Sequence, residues 1–258
     1  MLRKAKSRPR CLQLHDVPRK AGEKITAAFG DDLLRYDPDA ETLALPSRMR
    51  GVTWEQYDAL LQALPDHRLR HTYDRGFLEI MSPLYKHDKL KTIIGSFIEQ
   101  MALSLGIDFE PSGSATYRRR TADRGLEPDE TYHIANASAM QGKLEHDPRH
   151  DPPPDLAVQV DLRRPSSRRM RIYAALHVPE VWKYDGQAMR FFALGSNGKY
   201  NEIAHSLSFP FLAPADIDRF LGRLANERSS VVVAAVGKWA KAEHRKLSSR
   251  KRRKKKSS

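Results

Sequence analysis

The sequence predicts an α/β fold, a mixed β-sheet with helices on both faces, and three observations carry that expectation. Short strands pair through a tight turn in the first third of the chain. A long amphipathic helix follows, and a later strand–helix–strand unit implies a parallel crossover. At 258 residues the chain can hold one good-sized α/β domain with extensions and bury a real core.

Residues 1–50 show weak periodicity and read as a basic, partly irregular arm followed by a small irregular or hairpin element near Leu33 to Leu45. A helix opens at Val52, with Thr53 as N-cap and Gln56 in the capping-box position, and Pro65-Asp66 ends it. Arg68 to Tyr73 and Phe77 to Met81 alternate like strands around Asp74-Arg75-Gly76, a hairpin signal, and Ser82-Pro83 closes the second. Leu90, Ile93, Ile94, Phe97, Ile98, Met101 and Leu105 recur at three and four, which makes 86–105 the clearest helix. Strands are expected at Ala115 to Arg119 and Thr131 to Ile134, then a polar, proline-rich loop over 141–154. After a short buried strand within Pro152–Asp161 come a helix from Ser167 to Leu176 and strands Val181 to Tyr184 and Met189 to Leu194, followed by the turn Ser196-Asn197-Gly198. Pro214 begins one helix and Ser230 another, which runs through Trp239 into a basic tail. The expected division is 1–50 arm, 51–225 domain, and 226–258 C-terminal helix with a disordered Lys/Arg-rich tail.

Charge separates the ends from the middle. Residues 1–24 carry +6 and 238–258 carry +10, so 25–237 carry −3 of the total +13. The basicity bears on partners rather than on fold. The single Cys11 forms no internal disulfide, no apolar run is long enough for a membrane span, and the basic N-terminus lacks an apolar signal region. Cytoplasmic localisation is the expectation. Zinc-finger spacing, a Walker loop and a nucleophile elbow are all missing.

The segment from Pro152 to Asp161 is the most informative. Strand alternation sends Leu156, Val158 and Val160 one way and Ala157, Gln159 and Asp161 the other. An amide and a carboxylate inside an apolar run cost energy unless a partner, water or metal answers them. Glu127-Pro128-Asp129 lies upstream, so a metal site at the end of a sheet is one reading. Gln159 reads equally as a satisfied core amide, and Asp155 equally as a turn acid. Glu79 and His87 flank the Met-Ser-Pro turn. His87 reads as a general acid–base group or an exposed first-turn histidine, with the second weighing more.

Several segments in one order resemble the restriction-endonuclease family called Uma-two, within the PD-(D/E)XK nuclease superfamily. They are Thr53-Trp54-Glu55, Tyr73-Asp74-Arg75-Gly76, Leu78 to Pro83, Gly125 to Asp129, Pro153 to Leu156, and Ile172 through Gly186. The resemblance covers about residues 51–240 and implies a restriction-endonuclease-like mixed β-sheet flanked by helices. It also implies that Asp129 is the motif aspartate, a metal ligand. Gln159 stands where the family usually has a second, metal-binding glutamate. Asp161 stands at the superfamily's lysine position, and Arg169 where a displaced lysine or arginine is often found.

The function expected is a Mg2+-dependent DNA endonuclease with a degenerate second acidic motif. Asp129, Gln159 and Asp161 would serve the metal, and Arg169 would orient phosphate without acting as a base. Lys183 is a weaker alternative for the missing ammonium. The DNA backbone would meet Arg163, Arg164, Arg168, Arg171 and the 246–258 tail, with Arg118 to Arg120 as a second cluster. The alternative is a catalytically inactive nuclease-fold protein that binds DNA through its basic arms. An interaction module whose tail contacts an acidic partner such as ribosomal RNA ranks third.

Overall fold

The structure, a computed structural model, describes residues 11–30, 35–40, 42–64, 70–81, 85–147, 149–162 and 167–256. Residues 1–10, Pro65-Asp66, Arg68, Ser82-Pro83, Arg163 and Arg164, named above, lie outside that set. The chain divides into two compact units, one of residues 1–83 with 118–127, the other of 84–117 with 128–258.

The first unit begins with β1 (Cys11–Leu14), α1 (Arg19–Phe29), β2 (Arg35–Asp37), β3 (Thr42–Pro46), β4 (Arg48–Arg50), α2 (Trp54–Ala63), β5 (Arg70–Asp74) and β6 (Phe77–Met81). Residues 11–46, expected to be mostly irregular, form a three-stranded sheet in the order β1-β3-β2 and a helix. Leu14, Val17, Ile25, Phe29, Leu43 and Leu45 are buried there. Their apolar positions are few and separated by charges, which hides the periodicity. The Thr53 and Gln56 capping box is formed. Arg75 and Gly76 both have positive φ, 46° and 84°, as a two-residue turn between β5 and β6 requires. Trp54, Tyr57 and Tyr73 form an aromatic cluster, with Tyr57 stacked on Tyr73 at 4.6 Å.

In the second unit α3 (Tyr85–Leu105) leads into β7 (Glu110–Pro111). β8 (Tyr117–Arg119) and β9 (Arg124–Leu126) complete the five-stranded sheet of the first unit, β4-β6-β5-β9-β8. The chain continues with β10 (Glu130–His133), α4 (Ala137–Met140), β11 (Leu156–Val160), α5 (Ser167–Ala175), β12 (Glu180–Tyr184), β13 (Met189–Leu194), β14 (Tyr200–Ile203), α6 (Pro214–Arg223) and α7 (Ser229–Lys256). Among the described residues the sheet of the second unit is six-stranded, β14-β13-β12-β11-β10-β7, with β11 and β12 parallel and joined through α5. The remaining pairs are antiparallel, so the sheet is mixed.

One face of this sheet buries Leu156, Val158, Val160, Trp182 and Phe191 in a core shared with Ile94, Phe97, Ile98 and Met101 of α3 and Val232 and Val236 of α7. α7 crosses α3 closely at Gly237, where a Cβ would fall 2.4 Å from Ser104 Oγ. The helix does not stop near Trp239 but runs to Lys256. Lysine and arginine are good helix formers, and no glycine or proline interrupts 238–256, so the tail is not the disordered segment expected. No helix among the described residues is long and apolar enough to cross a membrane.

Candidate functional site

β11 alternates as its sequence demands. Leu156, Val158 and Val160 enter the α3 core, while Gln159 faces α5, where its Oε1 accepts from Tyr173 Oη at 3.0 Å. Asp129 precedes β10, and its N–H donates to Val158 O at 3.1 Å, which sets the acid beside β11. Its Oδ2 accepts from Gln159 Nε2 at 3.2 Å and from the Val160 N–H. Gln159 Nε2 also donates to Asp161 Oδ1 at 3.0 Å. A single amide therefore bridges two carboxylates.

Two further side chains close the arrangement. Register pairs Lys183 of β12 with Gln159, and Lys183 Nζ sits 3.1 Å from Asp161 Oδ2, both side chains 8% exposed. From the first turn of α3, His87 places Nε2 3.2 Å from Asp129 Oδ2, rather than pointing to solvent as a first-turn histidine would. One turn on, Lys91 meets Glu130 at 2.9 Å. Asp129 is fully buried and Gln159 is 2% exposed.

Asp129, Gln159 and Asp161 are thus brought together. Arg169 is buried on α5, one turn before Tyr173 and on the same helix face. Lys183 and His87, weighed lower in sequence, touch the two acids. Tyr173 carries no functional signal in sequence, because its partner is fourteen residues away on a different element. Asp155 is a turn acid, accepting from the N–H groups of Ile134 and Asn136 at 2.7 and 2.9 Å. Glu79 pairs with Arg48 at 2.7 Å. Arg118 and Arg120 pair with Asp58 and Glu55, so at least two of the 118–120 cluster answer acids within the first unit. Arg171 is exposed and Arg168 half-buried.

Residues 54–217 match the family model Uma2, described as "Putative restriction endonuclease". The chain belongs to the Uma2 family. A solved structure similar to this Uma2 chain is described as a "putative nuclease belonging to DUF820" from Anabaena variabilis. It is 17% identical, with a TM-score of 0.43, over 63% of this chain and 96% of that one. No curated protein matches.

Family membership raises the question of a divalent ion, and the side chains answer it. Magnesium requires oxygen ligands. The position between Asp129 and Asp161 is taken by an NH2 group, which repels a cation. Turning the amide would set its NH2 at the Tyr173 hydroxyl and break its bonds to both acids. Among the described residues no group of three or more His, Cys, Asp or Glu side chains is arranged to hold a metal. The residues of this Uma2 centre, as arranged, do not fit the ion.

Proposed function

We propose that this Uma2-family chain binds nucleic acid through its phosphates and does not hydrolyse it. One observation supports the reading above others: the Gln159 amide donates to both Asp129 and Asp161. Hydrolysis of a phosphodiester needs an activated water and a stabiliser for charge on the phosphoryl oxygens. Here the acids are engaged by an amide, a backbone N–H, an imidazole and an ammonium. Binding asks less. It needs positive charge along a surface, and 238–258 supply eleven Lys/Arg against one acid, most of it on α7. Arg168 and Arg171 on α5 offer a separate pair of cations.

A gel shift with a short DNA duplex in chelator, beside plasmid cleavage in Mg2+, tests this. The expected result is a shift without cleavage, and Asp129→Ala should leave the shift nearly intact. The second reading is a Mg2+-dependent endonuclease, favoured by the convergence of Asp129, Asp161 and Lys183 at one strand end. Plasmid cleavage that Asp129→Ala abolishes would establish it and overturn the first.

A further inference from the structure

Which end of the Gln159 amide faces the acids decides what the centre can hold. With Nε2 inward, both carboxylates receive a donor and Oε1 receives the Tyr173 hydroxyl. With Oε1 inward, an oxygen would face two carboxylates and the NH2 would face Tyr173 Oη. Only the first orientation satisfies every partner. Charge follows the same logic. Two carboxylates bring −2, and Lys183 returns +1 at Asp161. Binding an ion at Asp161 would strip this ammonium of its partner in a buried place, and a buried unpaired charge is strongly unfavourable.

We propose that the centre is closed to divalent cations: the Gln159 amide stands where an ion would bridge, Lys183 supplies the charge, and the Tyr173 hydroxyl locks the amide. Tyr173 is a positioning residue, since it touches Gln159 and acts through it. The proposal deepens the non-hydrolytic reading, yet it concerns metal alone and fails separately from it.

Titration calorimetry of the full chain with MgCl2 and MnCl2, together with thermal unfolding in either salt or in EDTA, reads it directly. Wild type should give no saturable heat and one Tm in all three conditions. Gln159→Glu puts a third carboxylate at the centre. Its Tm should fall in EDTA and rise in millimolar Mn2+ by roughly 5 °C, with a saturable isotherm. Tyr173→Phe should admit Mn2+ more weakly, because the amide is then free to turn. Saturable binding by wild type that Asp129→Asn removes overturns the proposal. So does a folded Gln159→Glu that gains no Mn2+ binding. Should that variant fail to fold, the wild-type and Tyr173→Phe titrations decide. A silent wild-type titration with no gel shift in chelator would sink nucleic-acid binding and leave the closed centre standing.

Discussion

The two ends of the parallel pair β11 and β12 treat their acids differently. At the N-terminal end, Asp155 is answered by the Ile134 and Asn136 N–H groups and by Asn136 Nδ2. Glu180, fully buried, accepts from the N–H groups of Leu207 and Ser208, from Ser208 Oγ and from Trp182 Nε1 at 2.7 to 3.1 Å. Backbone donors dominate there. At the C-terminal end, Asp161 is answered by Gln159 and Lys183, and Asp129 by Gln159 and His87 as well as the Val160 N–H. Backbone donors survive every substitution except proline, so they tie an acid to the fold. Side-chain donors can be exchanged one at a time. The C-terminal end can keep its acids and still change its chemistry; the N-terminal end cannot.

The contrast predicts its largest effect at Glu180. Glu180→Ala leaves two backbone N–H groups and an indole N–H unanswered in a buried place. Urea unfolding should show a loss of about 4 kcal/mol. A loss under about 1 kcal/mol would mean that water answers these donors and that the two ends are not different in kind.

Lys183→Met should cost somewhat less, about 3 kcal/mol, because it leaves Asp161 without its ammonium. Adding Asp161→Asn should recover most of this. Additive losses in the double-mutant cycle would show that the pair is not coupled and that the C-terminal network is not one unit.

Where signals are local, the sequence is readable. The Arg75-Gly76 turn, the Thr53 and Gln56 box, the stripe of α3 and the alternation of β11 each lie within one element, and each is formed. The meeting of Asp129, Gln159 and Asp161 is legible from alternation and family resemblance together. Which way Gln159 points is not, because Tyr173 sets it from another element. Lys183 ranks behind Arg169 in sequence because a sequence carries no inter-strand register; pairing with Gln159 is what aims it at Asp161. The small elements of 11–46 escape because each buries only two or three apolar residues among charges. The reach of α7 escapes because a charge run reads as disorder, whereas its residues favour helix.

A smaller effect is expected on β10. Burial lowers the pKa of His133 from its ordinary 6.5, against the Pro152 carbonyl and Asp155, which favour the charged form. Its Nδ1 lies 3.3 Å from Ser112 Oγ and its Nε2 3.3 Å from Pro152 O. The folded chain therefore keeps this imidazole neutral while the unfolded chain protonates it below about 6.5. The stabilisation is whole above that pH and is lost as pH falls below it, down through the folded pKa. Between pH 7.5 and 5.5 wild type should lose up to about 1 kcal/mol more than His133→Gln. Equal losses would mean that this histidine titrates alike in both states.

Removal of 246–258 should change stability least. α7 is anchored by Val232, Val236 and Ala240, all fully buried, while 241–246 are exposed or half-buried, so its basic end lies beyond the core. Unfolding energy should stay within about 0.5 kcal/mol of wild type. The effect belongs to binding. Each lysine or arginine seated on a phosphate releases counterions, so the log–log salt slope for a DNA duplex should flatten by about 0.9 for each phosphate no longer neutralised. The segment carries eight such residues and no acid. A slope shallower by several units with unchanged stability would make this end of α7 a surface whose partner lies outside the chain, unlike either end of the β11–β12 pair. An unchanged slope would make it a solubilising extension, and the search for the phosphate-binding face would move to Arg168 and Arg171 on α5.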